Sequence, residues 1–120
     1  MAALKEKAIS LLGSATIDMK TAQANTIYTT PVGKVTRIAF IVVRDATASL
    51  AGGTSYTMLG LRAAFSLATL VTLNTGLLVV RAADLVEQAE IAGAVAVTLT
   101  VTTGSTAPAN ATIDVFGYQV

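Results

Sequence analysis

The amino-acid sequence predicts an all-β protein: a jelly-roll-like antiparallel β-sandwich of about eight strands, preceded by a short N-terminal helical arm. Three observations support this prediction. From residue 16 onward, Thr, Val and Ile recur in short alternating runs that are typical of strands. Residues that favour turns separate these runs at regular spacing. Helical spacing of apolar residues is clear only in the first 12 residues.

The N-terminal segment Ala2–Leu12 is predicted to form the helix of this arm, which Gly13 ends. One face of this helix carries the apolar residues Leu4, Ala8, Leu11 and Leu12. A helix of two or three turns is marginal in isolation, so we expect this face to pack on its own domain or on a neighbouring subunit. The domain assignment is therefore an arm at residues 1–13 and a sandwich at residues 14–120.

Eight segments of the remaining chain have the alternation or β-branched content of strands. They are residues 15–21, 26–30, 34–44, 55–60, 62–73, 77–81, 94–102 and 111–120. The segment 62–73 also fits a helix, but its β-branched residues favour a strand. Residues 84–90 are predicted to form a helical turn, with the acidic Asp84 at its start.

Two of these strands are apolar on both faces, at Ile38–Val43 and Phe116–Val120. Such a strand lies either at the centre of a sandwich or against another subunit. The apolar fraction of the chain is 53%, which also fits subunit interfaces, because obligate interfaces resemble a protein core. The predicted interface residues are Leu4, Ala8, Leu11, Leu12, Phe40, Val42, Phe116, Tyr118 and Val120.

The composition argues against most catalytic, metal and cofactor chemistry. The chain contains no His and no Cys, so it lacks the donors for zinc, iron–sulfur or haem ligation and the commonest general base. Among the seven carboxylates, Asp84 and Glu87 have a spacing that shares one helical face, which is usually a solvated surface. Asp45 at a strand end is most simply a loop cap. We therefore expect no catalytic residue, no metal and no cofactor.

Nucleic acids and membranes are also unexpected partners. Charged residues make up 12% of the chain and the net charge is +1, whereas nucleic-acid binding requires clustered Lys and Arg. The long uncharged runs, 63–80 and 91–113, contain Asn, Gly or many Thr, which are unsuited to a spanning helix. The N-terminus has charges where a signal peptide is apolar.

Other local patterns have simpler structural explanations. The pair Gly52 and Gly53 lacks the spacing of a phosphate-binding loop and indicates a turn. Asn110 begins a glycosylation sequon that we attribute to chance. The three tyrosines are expected in the core or at interfaces rather than in a sugar-binding platform; they are Tyr28, Tyr56 and Tyr118.

Two long stretches of the chain resemble capsid cement, or decoration, proteins of tailed bacteriophages and related jelly-roll modules of virions. The stretches are TIDMKTAQANTIYTTPVGKVTRIAFIVVRDATASLAGGTSY (16–56) and TGSTAPANATIDVFGYQV (103–120). The motifs that carry the resemblance are the turn at Ile27–Lys34, VVRD at 42–45, SLAGGT at 49–54 and IDVFGY at 113–118.

This resemblance implies a structural protein on the outer capsid surface, assembled in the host cytoplasm. Its partners would be itself, as a trimer or alternatively a dimer, and the major capsid protein. The arm would contact the shell or an adjacent subunit, and the two-faced strands would form the oligomer. Two alternatives remain: a tail or fibre-tip module that binds a receptor, and a lectin-like binding domain.

Overall fold

Eight strands form the fold in a computed structural model of the chain, which describes residues 9–59, 61–70, 77–81 and 90–119. Their bounds are β1 Ser10–Asp18, β2 Ala24–Thr29, β3 Thr36–Arg44, β4 Ser55–Met58, β5 Leu61–Phe65, β6 Leu77–Arg81, β7 Ala96–Thr103 and β8 Asn110–Gln119. The prediction of an all-β protein is confirmed.

The strands form two four-stranded sheets. Sheet A has the order β1-β8-β3-β6, and sheet B has the order β2-β7-β4-β5. All neighbouring strands within a sheet run antiparallel. The sheets pack together as a β-sandwich, as predicted, and β1, β6, β2 and β5 are the edge strands.

The core lies between the sheets and is built from alternate residues of the strands. On β7, the inward residues Val97, Leu99 and Val101 are buried, as their alternation with Ala and Thr predicts. Sheet A contributes Ile38, Ile41, Val43, Ile113 and Val115, all with no exposed surface. Because successive side chains on a strand point to opposite faces, these positions leave the intervening residues of β3 and β8 on the outer face of sheet A.

The predicted helix at Ala2–Leu12 is wrong over its last four residues, because Ile9 is not helical and Ser10–Leu12 lie in β1. Pairing of β1 with β8 supplies backbone hydrogen bonds there, and this tertiary context overrides a weak helical pattern. Gly13 lies inside the strand and does not end a helix. The arm–domain boundary between residues 13 and 14 falls within β1, and residues 1–8 of the arm lie outside the described residues.

The strand predicted at residues 62–73 is shorter in the structure, because β5 ends at Phe65. Beyond it the chain docks on the loop between β3 and β4: the Leu67 amide donates to the Gly53 carbonyl at 2.9 Å. Leu67 and Leu70 are buried there although neither is in a strand. Residues 71–73 and most of the helical turn expected at 84–90 lie outside the described residues, and Glu90 is not helical.

One end of the sandwich is closed by backbone hydrogen bonds between loops. The Ser105 amide of the β7–β8 loop donates to the Met19 carbonyl of the β1–β2 loop at 3.0 Å, and the Thr106 amide donates to the Ala51 carbonyl of the β3–β4 loop at 2.9 Å. The buried Tyr56 hydroxyl also donates to the Met19 carbonyl, at 3.0 Å. These hydrogen bonds connect three loops to one another and to the buried Tyr56 at this end of the sandwich.

Candidate assembly surface

The outer face of sheet A carries large apolar side chains where a solvated sheet would carry polar ones. Phe116 on β8 lies between the buried inward positions Val115 and Gly117 and so points outward. Its register partners are Leu11 on β1 and Phe40 on β3. Directly paired residues of antiparallel strands share a face, so these three side chains cross three adjacent strands in a line. We call Leu11, Phe116 and Phe40 the apolar row.

The apolar row is partly exposed to solvent. The rings of Phe40 and Phe116 stack with their centroids 4.9 Å apart and their planes 16° from parallel. Both rings are half-buried, and Leu11 at the edge of the sheet is 55% exposed. The row therefore has apolar area that another protein could cover. Burial of the two aromatic rings would contribute much of the binding energy of such a contact.

Further apolar residues extend this surface toward β6. Val42 lies two residues from Phe40 on the same face of β3 and is half-buried. Its register partner on β6 is Val79, which is 37% exposed. The outer face of sheet A therefore continues the apolar row with two valines.

A polar cluster formed by Ser14, Arg44, Asp45 and Asp114 lies next to Val42. The Asp114 carboxylate accepts hydrogen bonds from the Arg44 Nε at 2.7 Å and from the Ser14 hydroxyl at 2.6 Å. A second nitrogen of Arg44, Nη1, donates to the exposed Asp45 carboxylate at 2.6 Å. Although it lies on the outer face of the sheet, Asp114 is only 8% exposed, because its neighbours cover it.

Hydrogen bonding dominates the electrostatics of the polar cluster. The hydrogen bond from Arg44 holds the pKa of the Asp114 carboxyl below its ordinary value, and the bond from Ser14 acts in the same direction against the opposing effect of burial. The same contact raises the pKa of Arg44. Asp114 is therefore ionised and internally paired near neutral pH, which leaves it a structural role.

Tyr118 lies beyond the apolar row on the same face. Its register partner is Arg37 on β3, whose guanidinium forms an ion pair with Glu90. Tyr118 is half-buried. The row is thus bounded by charged pairs at Arg37 and at Arg44, an arrangement found at protein interfaces, where a polar rim surrounds apolar contacts.

The structure brings together five of the predicted interface residues on this face: Leu11, Phe40, Val42, Phe116 and Tyr118. Leu12 does not join them, because the irregular register between Leu11 and Gly13 turns its side chain to pack against the core. Leu4, Ala8 and Val120 lie outside the described residues.

Sequence reasoning did not include Val79 or the polar cluster in this surface. LLVVR was predicted as a strand, but its register against β3, which places Val79 beside Val42, requires the sheet order. Asp114 and Arg44 are 70 residues apart in sequence and meet only because β8 inserts between β1 and β3. Asp114 is the one charged residue of β8, and this was the available signal.

The carboxylates that sequence analysis considered do not form a catalytic pair among the described residues. Asp45 has a φ of 54° at the end of β3, a conformation that Asp tolerates in turns, and pairs with its neighbour Arg44. Asp84 and Glu87 lie outside the described residues. The described part of the chain also has no group of three or more Asp, Glu, His or Cys side chains that could hold a metal ion.

The tyrosines do not form a common platform. Tyr56 is fully buried with its hydroxyl bonded to a backbone carbonyl, Tyr28 packs against the core, and Tyr118 lies on the outer face of sheet A. All six aromatic residues of the chain lie in strands: Tyr28, Phe40, Tyr56, Phe65, Phe116 and Tyr118. The loops therefore present no aromatic ring to a ligand.

Comparison with protein-family models finds no match, and comparison with curated protein sequences finds none either. Among the described residues, no helix is long and apolar enough to cross a membrane.

Proposed function

We propose that this chain is a virion structural protein that binds the outer surface of a capsid as an oligomer and reinforces the shell, as capsid cement proteins do, and that it is not an enzyme. The observation that carries this proposal is the apolar row on the outer face of sheet A. A stacked phenylalanine pair beside an exposed leucine is costly to leave in water and is typical of a surface that another protein covers.

The rest of the surface supports assembly rather than chemistry. Two charged pairs flank the apolar row, Arg44–Asp114 and Arg37–Glu90, and in each the acid and the base are engaged with each other. A cement protein reinforces a shell by burying surface across subunit junctions. It needs apolar contact area and a rigid domain, and the interlocked loops and continuous core provide the rigidity.

We further propose that the sandwich is a jelly roll. The strand pairing supports this: β1 pairs with β8, β2 with β7, β3 with β6 and β4 with β5. The pairs alternate between sheet A and sheet B. In a jelly roll, the first four strands pair antiparallel with the last four, and the resulting double-stranded ribbon is wound into two sheets. The pairing in this chain has that pattern. Jelly rolls are common in viral capsid proteins, so the topology agrees with the proposed location on the virion.

The partners under this proposal are the major capsid protein and further copies of the chain. The resemblance to cement proteins favours a trimer, with a dimer as the alternative. Assembly would take place in the host cytoplasm, and the protein would remain on the outer capsid surface. A receptor-binding tail tip or a lectin-like domain is less well supported, because such modules present ligand-binding groups on their loops and the aromatic residues here are all in strands.

The test is co-sedimentation of the purified protein with capsids of a phage whose genome encodes it. We expect the wild-type protein to sediment with the capsids and Phe116→Lys to remain in the supernatant. Thr98→Lys is the matched control, because Thr98 is also a half-buried residue on an internal strand but lies in sheet B. Thermal unfolding checks that both variants fold.

Two outcomes would contradict the proposal. If Phe116→Lys and Thr98→Lys bound capsids equally well, the apolar row would not be the capsid-binding surface. Failure of the wild-type protein to bind capsids, together with binding to host cells or to a glycan array, would instead support the receptor-binding alternative.

A further inference from the structure

Strand β1 forms an edge of sheet A with unusual properties. Within the described part of the chain it hydrogen-bonds to one neighbouring strand, β8. Its other side therefore presents backbone N–H and C=O groups that can pair with an additional strand. Proteins usually protect such an edge with charged side chains, proline, a short strand or a bulge.

The other three edge strands have these protections. β5 and β6 are each five residues long and contain an arginine, Arg62 and Arg81. β2 has six residues, and a register shift between Thr26 and Tyr28 interrupts it. Pairing of a further strand at these edges would therefore involve few residues or an interrupted register.

β1 differs in length and in composition. It has nine residues, and its first eight, SLLGSATI, include neither a charge nor a proline. Its one irregularity lies between Leu11 and Gly13, so the register from Gly13 to Asp18 is unbroken. The side chains from Ser14 to Thr16 are small: Ser14 and Thr16 on the outer face and Ala15 on the inner face. No charged side chain of β1 lies between Gly13 and Ile17, so pairing of a second strand there would desolvate no charge carried by β1 itself.

We propose that β1 of a second copy of this chain pairs antiparallel with β1 and joins the two sheets A into one eight-stranded sheet. This inference rests on the proposed function and selects the dimer, which is given there as the alternative to the trimer. A second copy suits the edge because the pairing is self-complementary about a two-fold axis, the commonest symmetry of homo-oligomers. Asp18 is the one charged residue of β1, and antiparallel alignment places the two Asp18 residues at opposite ends of the strand pair.

The two-fold pairing has a consequence for particle binding. The two-fold axis of an antiparallel strand pair is perpendicular to the sheet, so the outer faces of both copies lie on the same side. One dimer therefore presents two apolar rows to the particle together. Two linked contacts raise the overall affinity above that of either contact alone, provided that the particle has two matching sites.

The experiment is sedimentation equilibrium of the full chain with the variants Thr16→Lys and Thr98→Lys. Thr16 lies on the edge strand, and its hydroxyl contacts that of Thr112 on the exposed surface, so a lysine there folds without a clash. We expect a wild-type dimer, an unchanged dimer for Thr98→Lys, and for Thr16→Lys a dissociation constant at least about tenfold higher, since each copy would bring an added charge to the joined edge.

Hydrogen exchange provides a second measurement at the same site. Amides of residues 13–18 in the wild-type protein should exchange more slowly at concentrations where the dimer forms, and this protection should be lost in Thr16→Lys. A wild-type protein that is monomeric at all concentrations, or a Thr16→Lys dimer as tight as that of the wild type, would overturn the inference.

These outcomes are distinguishable from failure of the proposed function. If Thr16→Lys dimerises normally while Phe116→Lys is monomeric, the edge pairing is wrong and the copies join through the apolar row instead. Co-sedimentation of the wild-type protein with capsids would still support the proposed function. If Thr16→Lys is monomeric and the wild-type protein still fails to sediment with capsids, the edge pairing holds and the capsid proposal is wrong.

Discussion

Phe40 and Phe116 stack 4.9 Å apart on the outer face of sheet A, although they are 76 positions apart in the sequence (116 − 40). Their strands, β3 and β8, are neighbours because the last strand of the chain inserts between β1 and β3. The pair therefore joins the two halves of the chain and also forms the centre of the candidate assembly surface.

The stacking predicts a favourable coupling between these two rings. In a double-mutant cycle with Phe40→Leu and Phe116→Leu, the coupling free energy should be about 0.5–1.5 kcal/mol, because offset aromatic pairs contribute this much beyond burial. Urea unfolding of the four proteins measures it. Strictly additive effects of the two substitutions would show that the rings do not interact in solution.

The buried carboxylate of the polar cluster predicts a second effect on stability. Asp114→Asn should lower the free energy of unfolding by about 1–3 kcal/mol, because it weakens the hydrogen bonds from Arg44 and Ser14 at a site with little access to water. Asp45→Asn is the control. Asp45 pairs with the same arginine but is exposed, so we expect a change within about 0.5 kcal/mol. Equal losses in the two variants would contradict this prediction.

The lowered pKa of Asp114 predicts a dependence of stability on pH. Its folded-state pKa lies below the ordinary value of 3.8, chiefly because of the hydrogen bond from Arg44. The ionised carboxylate thus stabilises the fold above that value, and the contribution is lost as the pH falls through the lowered folded-state pKa. Asp18 acts in the same direction, because the Thr21 hydroxyl and the Lys20 amide lower its pKa.

Urea unfolding at about pH 6 and about pH 3 tests this dependence. The wild-type protein should lose stability at the lower pH, and Asp114→Asn should lose less stability, since it lacks the contribution of the Asp114 carboxyl. Parallel losses in the wild type and in Asp114→Asn would mean that Asp114 has the same pKa in the folded and unfolded chain.

Two buried threonines predict opposite results for the same substitution. The Thr36 hydroxyl is buried and has no hydrogen-bond partner among the described residues, so Thr36→Val should raise the free energy of unfolding by about 1 kcal/mol. The Thr30 hydroxyl donates to the Ala92 carbonyl at 2.6 Å and accepts from the Val95 amide at 2.9 Å. Thr30→Val should therefore lower the free energy of unfolding by about 1–3 kcal/mol, because these two hydrogen bonds are lost. Thermal and urea unfolding of both variants provide the comparison.

Two glycines predict different costs for an added methyl group. A Cβ at Gly117 would lie 2.1 Å from the backbone oxygen of Arg37, so Gly117→Ala forces β8 and β3 apart. We expect a loss of at least about 3 kcal/mol. Gly33 has a φ of 78° and no atom near the added carbon, so Gly33→Ala should cost only about 1–2 kcal/mol of backbone strain. Urea unfolding of the two variants under identical conditions tests this difference. The prediction is wrong if Gly33→Ala is less stable than Gly117→Ala.

The sequence by itself determined the strands and the inward face of most of them. Alternation on β7 correctly placed Val97, Leu99 and Val101 in the core, because the two-residue period of a strand is a local property. The sequence also showed that β3 and β8 carry apolar residues on both faces. In the structure, the outer faces of these two strands carry the apolar row. The absence of His and Cys is likewise a property of composition alone.

Only the tertiary structure decided how these strands meet. The helical spacing at Ser10–Leu12 was overridden because pairing with β8 satisfies the backbone there. The apolar row, the contact between Arg44 and Asp114 and the exposed edge of β1 all depend on the sheet order, which joins the first strand to the last. Such long-range pairing is set by the burial of the whole core rather than by any local pattern, so no single segment of the sequence encodes it.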